Sequence, residues 1–175
     1  MKIFTYDLKR PAIYLSVGLF IFSLIRLAFV FDGGRGLESD QSFIYLLIGG
    51  IGLFGGGTSE FLIWLANPFC FIVLFLFAKN KKVSILFILI SSLLAISFAR
   101  WKEILISESG STAKIISFSS GYFLWVAGII VLFLAIIYHL RKDSSTITTQ
   151  IEIASSAEKA SLEMAIFCLS SYISR

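Results

Sequence analysis

Few side chains in this chain are equipped for chemistry, and their types and spacing limit it sharply. His139 is the only histidine, so one chain builds neither a two-histidine metal site nor a multi-histidine haem site. Cys70 and Cys168 stand far apart and make no disulfide framework and no CxxC pair. No two carboxylates share an apolar run, which removes an intramembrane aspartyl dyad and the carboxylate relay of pumps. The glycine-rich run ending at Gly57 has no GK[ST] and is no phosphate loop. No cofactor and no catalytic residue is implied.

Three features remain. Arg26 interrupts the first apolar run, five residues short of Phe31. A charge at bilayer centre costs ~2.5–3.5 kcal/mol on insertion scales, so this arginine should snorkel outward, pair with Asp32 or Glu60, or contact a ligand. Asn67-Pro68 interrupts the second run, within Trp64-Leu-Ala-Asn-Pro68. Proline removes a backbone donor and frees carbonyls near Trp64 and Leu65. Asn67 must then face another helix, either as a structural cross-link or as part of a broken-helix site of the transporter kind. The third feature is Gly121-Tyr-Phe-Leu-Trp125, where Tyr122 and Trp125 suit a membrane interface.

The elements that must hold these residues follow from composition. Of 175 residues, 57% are apolar before glycine is counted and 15% are charged. A soluble domain averages roughly 45–50% and about 25%, so lipid is the solvent to satisfy. The net charge of +4 is small and falls between apolar runs, which argues against nucleic acid as a partner. A span needs ~20 apolar residues, and four runs are expected to supply one each: 11–31, 58–78, 83–99 and 121–140. The first is too long for the ~7–15-residue core of a signal peptide and has no small-x-small site before Asp32, so it reads as an uncleaved span. Segment 43–57 is apolar but short, with six glycines, and is expected to be interfacial or re-entrant.

Charge sets the orientation. With the N-terminus inside, the inner segments hold Lys2, Lys9, Arg10, Lys79, Lys81, Lys82, Arg141 and Lys142, against Arg35, Arg100, Lys102 and Lys114 outside. The positive-inside bias favours this arrangement. The expected fold is therefore an all-α membrane protein: a four-transmembrane-helix bundle with a short Gly-rich interfacial or re-entrant helix on the outer side, both termini cytoplasmic. Small residues seven apart (Ser16 and Ser23, Ser84 and Ser91, then Gly121, Gly128 and Ala135) suit close helix packing. Residues 1–142 form the membrane domain. Residues 143–175 form a cytoplasmic tail, a Ser/Thr linker to Gln150 followed by a weak amphipathic helix bearing Leu162, Ile166, Leu169 and Ile173.

The Trp64–Pro68 and Gly121–Trp125 strings, with the Gly-rich segment before them, resemble a group of small uncharacterised bacterial inner-membrane proteins with W-x-A-N-P and G-Y-x-L-W elements. The resemblance covers about residues 43–140. It implies a bacterial inner-membrane location and four spans, and no activity. Two functions follow as expectations. One is a structural or accessory membrane protein, whose partners are the lipid bilayer and a protein met through the outer loops or the C-terminal helix. The other is a small transport or export component with a polar site around Asn67 and Arg26.

Overall fold

The computed structural model describes residues 9–34, 36–79, 82–106 and 110–173, with side chains described up to residue 161 apart from 78, 143, 144, 147 and 160. Helix α1 spans Lys9–Leu24 and carries Pro11 in its first turn, where the missing N–H costs nothing. The apolar run continues past Leu24, but the helix does not. Leu27–Asp32 forms strand β1, whose aromatic and branched residues suit a pleated, half-buried surface. Strand β2, Leu37–Gln41, returns antiparallel beside it. The turn between them uses Gly34 at φ +84 and Gly36 at φ +133, a backbone region open to glycine, and Asp32 Oδ1 accepts the Gly34 N–H at 3.0 Å.

Helix α2, Ser42–Ile48, and a 3-10 turn, Gly52–Gly55, follow. Helices α3, Thr58–Trp64, and α4, Ala66–Ala78, are separated by a single break at Leu65. Pro68 explains the break, because it cannot donate to the carbonyl four residues back, at Trp64. Helix α5 is Ser84–Phe98. Strands β3, Glu103–Leu105, and β4, Thr112–Phe118, precede helix α6, Ser120–Ile173. The four strands form one antiparallel sheet in the order β2-β1-β4-β3, with Phe29 opposite Phe118 and Phe31 opposite Ile115.

The architecture is thus mixed, and the expected all-α four-span bundle is wrong. Residues 27–32, counted within the first span, are a sheet strand, and segments 37–41 and 103–118, expected to be loops, supply its partners. Among the described residues two helical stretches are long and apolar enough to cross a membrane, Thr58–Phe77 and Ser120–Lys142. Helices α1 and α5 have 16 and 15 residues, about 24 and 23 Å at 1.5 Å per residue, short of the ~30 Å hydrocarbon core. A hydropathy run counts apolar residues; it does not distinguish a helix from a buried strand.

One face of the sheet joins the helices in a core of Phe29, Phe31, Ile104, Ala113 and Ile115 with Phe98 and Tyr122. Small residues let the helices approach. Ser16 Oγ donates to the Gly128 carbonyl at 2.8 Å, and Ser91 Oγ to the Ala66 carbonyl at 2.8 Å. A Cβ on Gly128 would lie 3.1 Å from the Ser16 carbonyl oxygen.

The chain divides into two compact units, residues 1–137 and 138–175. Within the second, the segment 143–150, expected to be a linker, is helical. Its hydroxyls bond back along the helix: Ser145 Oγ and Thr146 Oγ1 donate to the Lys142 carbonyl at 2.8 and 3.1 Å, and Thr149 Oγ1 to that of Ser145 at 3.1 Å. Such bonds let serine and threonine sit inside a helix. The apolar face at 162, 166, 169 and 173 lies outside the described side chains.

Candidate functional site

Where the sheet meets the helices, the first unit forms a half-open cavity of about 120 Å³. It draws on α1, β1, α2, α3, α4, α5, β3 and the start of α6, and its lining includes Trp64, Asn67, Tyr122 and Trp125. Four of the six residues singled out in the sequence therefore share one cavity. Pro68 does not line it and acts through the helix break.

Asn67 is the centre of the arrangement. It is only 8% exposed, so both ends of its amide need partners. Nδ2 donates to the Trp64 carbonyl at 3.2 Å, the acceptor that Pro68 leaves without its usual helical donor. Oδ1 accepts the indole N–H of Trp125 at 2.8 Å. One side chain thus repairs the break in its own helix and ties that helix to α6. Tyr122, one turn earlier on α6, donates its hydroxyl to the Ala95 carbonyl at 2.9 Å and so reaches α5.

Trp64 holds the opposite wall. Its Nε1 donates to the Leu46 carbonyl at 2.7 Å. A Cβ on Gly49 would come within 2.5 Å of Trp64 Cδ1, and one on Gly50 within 3.0 Å of Cζ2. The indole therefore packs directly on the glycine backbone after α2, which explains two of the glycines in that run.

The sequence reading missed Tyr45 and Glu60 as members of this site. Tyr45 packs against Phe29 with the rings tilted and their centroids 4.6 Å apart, and donates to Asp40 Oδ2 at 3.2 Å. Burial, followed by the charge of Asp40 and its hydrogen bond, pushes the phenol well above its ordinary value of 10.0. Glu60, in the first turn of α3, accepts the Leu105 N–H on Oε1 at 3.0 Å and so ties α3 to β3. A lone carboxylate opening an apolar run was the available signal for Glu60. Nothing in the sequence pointed to Tyr45, because its role depends on a sheet that hydropathy hides.

No family model, no curated protein and no solved structure matches the chain. The site must be read from its own chemistry.

Arg26 belongs elsewhere. It follows the end of α1 and so lies outside any helix; the expectation of a charge within a span is corrected by the turn into β1. Its Nε donates to Ser120 Oγ at 3.2 Å, and its guanidinium lies 5.8 Å from the Phe22 ring centroid. It lines a separate hollow with Gln41 and Ser120 and pairs with neither Asp32 nor Glu60 among the described residues. Arg26 and Asn67 therefore share no site. Among the described residues no three His, Cys, Asp or Glu side chains converge as metal ligands would.

Proposed function

We propose that the protein is a small accessory protein of the cytoplasmic membrane, without catalytic chemistry, which carries a braced sheet platform on the outer face of the bilayer. The bond from Trp125 through Asn67 to the Trp64 carbonyl carries this reading. The most polar buried side chain of the cavity spends both ends of its amide on the protein itself, which is what a brace does.

Orientation has independent support. Helix α1 leads into the sheet, while α4 and the first part of α6 lead away from it. Within the first unit, the helix ends remote from the sheet carry Lys9, Arg10, Lys79 and Lys82, and Lys9 Nζ lies 5.2 Å from the Phe77 ring centroid at the far end of α4; in sequence, Arg141 and Lys142 follow the apolar stretch 121–140. Basic flanks favour the cytoplasm, leaving the sheet outside and the C-terminal helix inside. A protein partner would then be met through the sheet or through that helix. The rival reading, a transport or export component with a polar site at Asn67 and Arg26, has weaker support because those residues line different cavities.

The test pairs two readouts on the Asn67→Leu, Arg26→Gln double variant: melting temperature of the purified protein and complementation of a deletion strain. The accessory reading expects a lowered melting temperature with complementation retained. An intact fold with complementation abolished would overturn it in favour of transport.

A further inference from the structure

The cavity has a chemical character that a brace does not require. Every hydroxyl and indole donor lining it is engaged by a protein acceptor: Ser23 with the Phe20 carbonyl, Ser42 with that of Arg26, Tyr45 with Asp40, and Tyr122, Trp64 and Trp125 as described. No lysine or arginine lines it. An anion would find neither a positive charge nor a free hydroxyl or indole donor there. A neutral polar molecule would find one carboxylate oxygen free among the described residues, Glu60 Oε2, and little else to replace its water partners.

What the cavity does offer is aromatic surface and one negative charge. Tyr45, Trp64, Tyr122 and Trp125 line it together with Glu60. Glu60 uses Oε1 on the Leu105 N–H and meets no lysine or arginine in an ion pair among the described residues. Aromatic rings attract cations electrostatically, and quaternary ammonium groups are recognised by cages of such rings. A partly buried carboxylate without a counter-ion adds to that attraction, because attraction between charges strengthens as water is excluded. The volume, about 120 Å³, compares with the ~150 Å³ engineered cavity that takes up benzene, so a compact branched group fits and a drug-sized molecule does not.

We infer that this cavity is a binding site for a compact organic cation of the alkylammonium class, held by the Tyr45, Trp64, Tyr122 and Trp125 rings against the charge of Glu60. The site goes beyond the accessory role and does not depend on it. The cation could be a free solute or the trimethylammonium end of a lipid headgroup; the chemistry recognised is the same.

Calorimetric titration of the full-length protein in non-ionic detergent tests the site, with tetramethylammonium chloride as the probe and neopentyl alcohol as its neutral counterpart. Saturable binding of tetramethylammonium is expected, with neopentyl alcohol at least about tenfold weaker. Glu60→Gln keeps an oxygen for the Leu105 N–H and removes only the charge, so it should melt near the parent and bind tetramethylammonium about tenfold more weakly or worse. If that variant fails to fold, the comparison of the two probes on the unaltered protein still decides. Absence of saturable tetramethylammonium binding, or equal binding of the neutral probe, would overturn the inference and leave an apolar cavity only. Competition by phosphatidylcholine but not phosphatidylglycerol in mixed micelles would support the site and identify a headgroup as the source; tetramethylammonium binding unaffected by either lipid would support it with a free solute.

Discussion

At the scale of single residues, Asn67 is the most consequential polar side chain of the cavity. Interhelical hydrogen bonds in membranes average ~0.6 kcal/mol, with a maximum near 1.7. Asn67→Leu should exceed that average, because it strands two partners at once, the Trp64 carbonyl and the Trp125 N–H. A buried polar group left unpaired costs about 1–3 kcal/mol, so a loss of roughly 2 kcal/mol is expected. Trp125→Phe should cost less, and the double variant less than the sum, since both remove the same bond. A reversible unfolding cycle in mixed micelles gives the coupling; strict additivity would contradict the brace. Tyr45 adds a pH dependence. Its folded value is raised above the unfolded 10.0, so its stabilising contribution is complete below about pH 10 and is lost as pH climbs through the folded value. Alkaline melting curves should therefore fall more steeply for the parent than for Tyr45→Phe, and parallel curves would deny the shift a role in stability.

At the scale of elements, close approach is what the small residues supply. Gly128→Leu should destabilise markedly, since a Cβ already lies 3.1 Å from the Ser16 carbonyl oxygen on α1. Leu134→Ala, at a position 59% exposed on the same helix, should leave the melting temperature in detergent almost unchanged. Equal shifts would refute the packing argument. The same elements mark how far the sequence could be read. Serines 16, 23, 84 and 91 and glycines 121 and 128 are buried as the seven-residue spacing suggests, while Ala135, the last of that series, is only half-buried; packing leaves a periodic trace where the helices approach closely. The site was legible where it depended on local chemistry: Pro68 breaks the helix and Asn67 sits beside the break. The sheet was not legible. Leu27–Asp32 pairs with Leu37–Gln41 and with residues more than eighty positions away, and inside an apolar run such pairing has no periodic signature. Arg26 was misplaced for the same reason, since the turn that frees it from a helix exists only if β1 does.

At the scale of the whole molecule, the proposed arrangement has two helices, Thr58–Phe77 and Ser120–Lys142, crossing the membrane with the sheet outside and the basic helix ends inside. The position of the sheet decides which groups a partner or an external cation can meet, including the exposed acidic strand Leu37–Gln41. Single cysteines probe this directly, in a background with Cys70→Ser and Cys168→Ser that first passes a folding check. Ser39→Cys places a thiol on exposed strand β2, and Ser145→Cys places one just beyond Arg141 and Lys142, also exposed. The measurement is labelling by a membrane-impermeant maleimide in intact spheroplasts and again after permeabilisation. The Ser39→Cys variant should label before permeabilisation and the Ser145→Cys variant only after it. The reverse pattern, labelling of both in intact spheroplasts, or recovery of the protein in the soluble fraction would contradict the proposed arrangement.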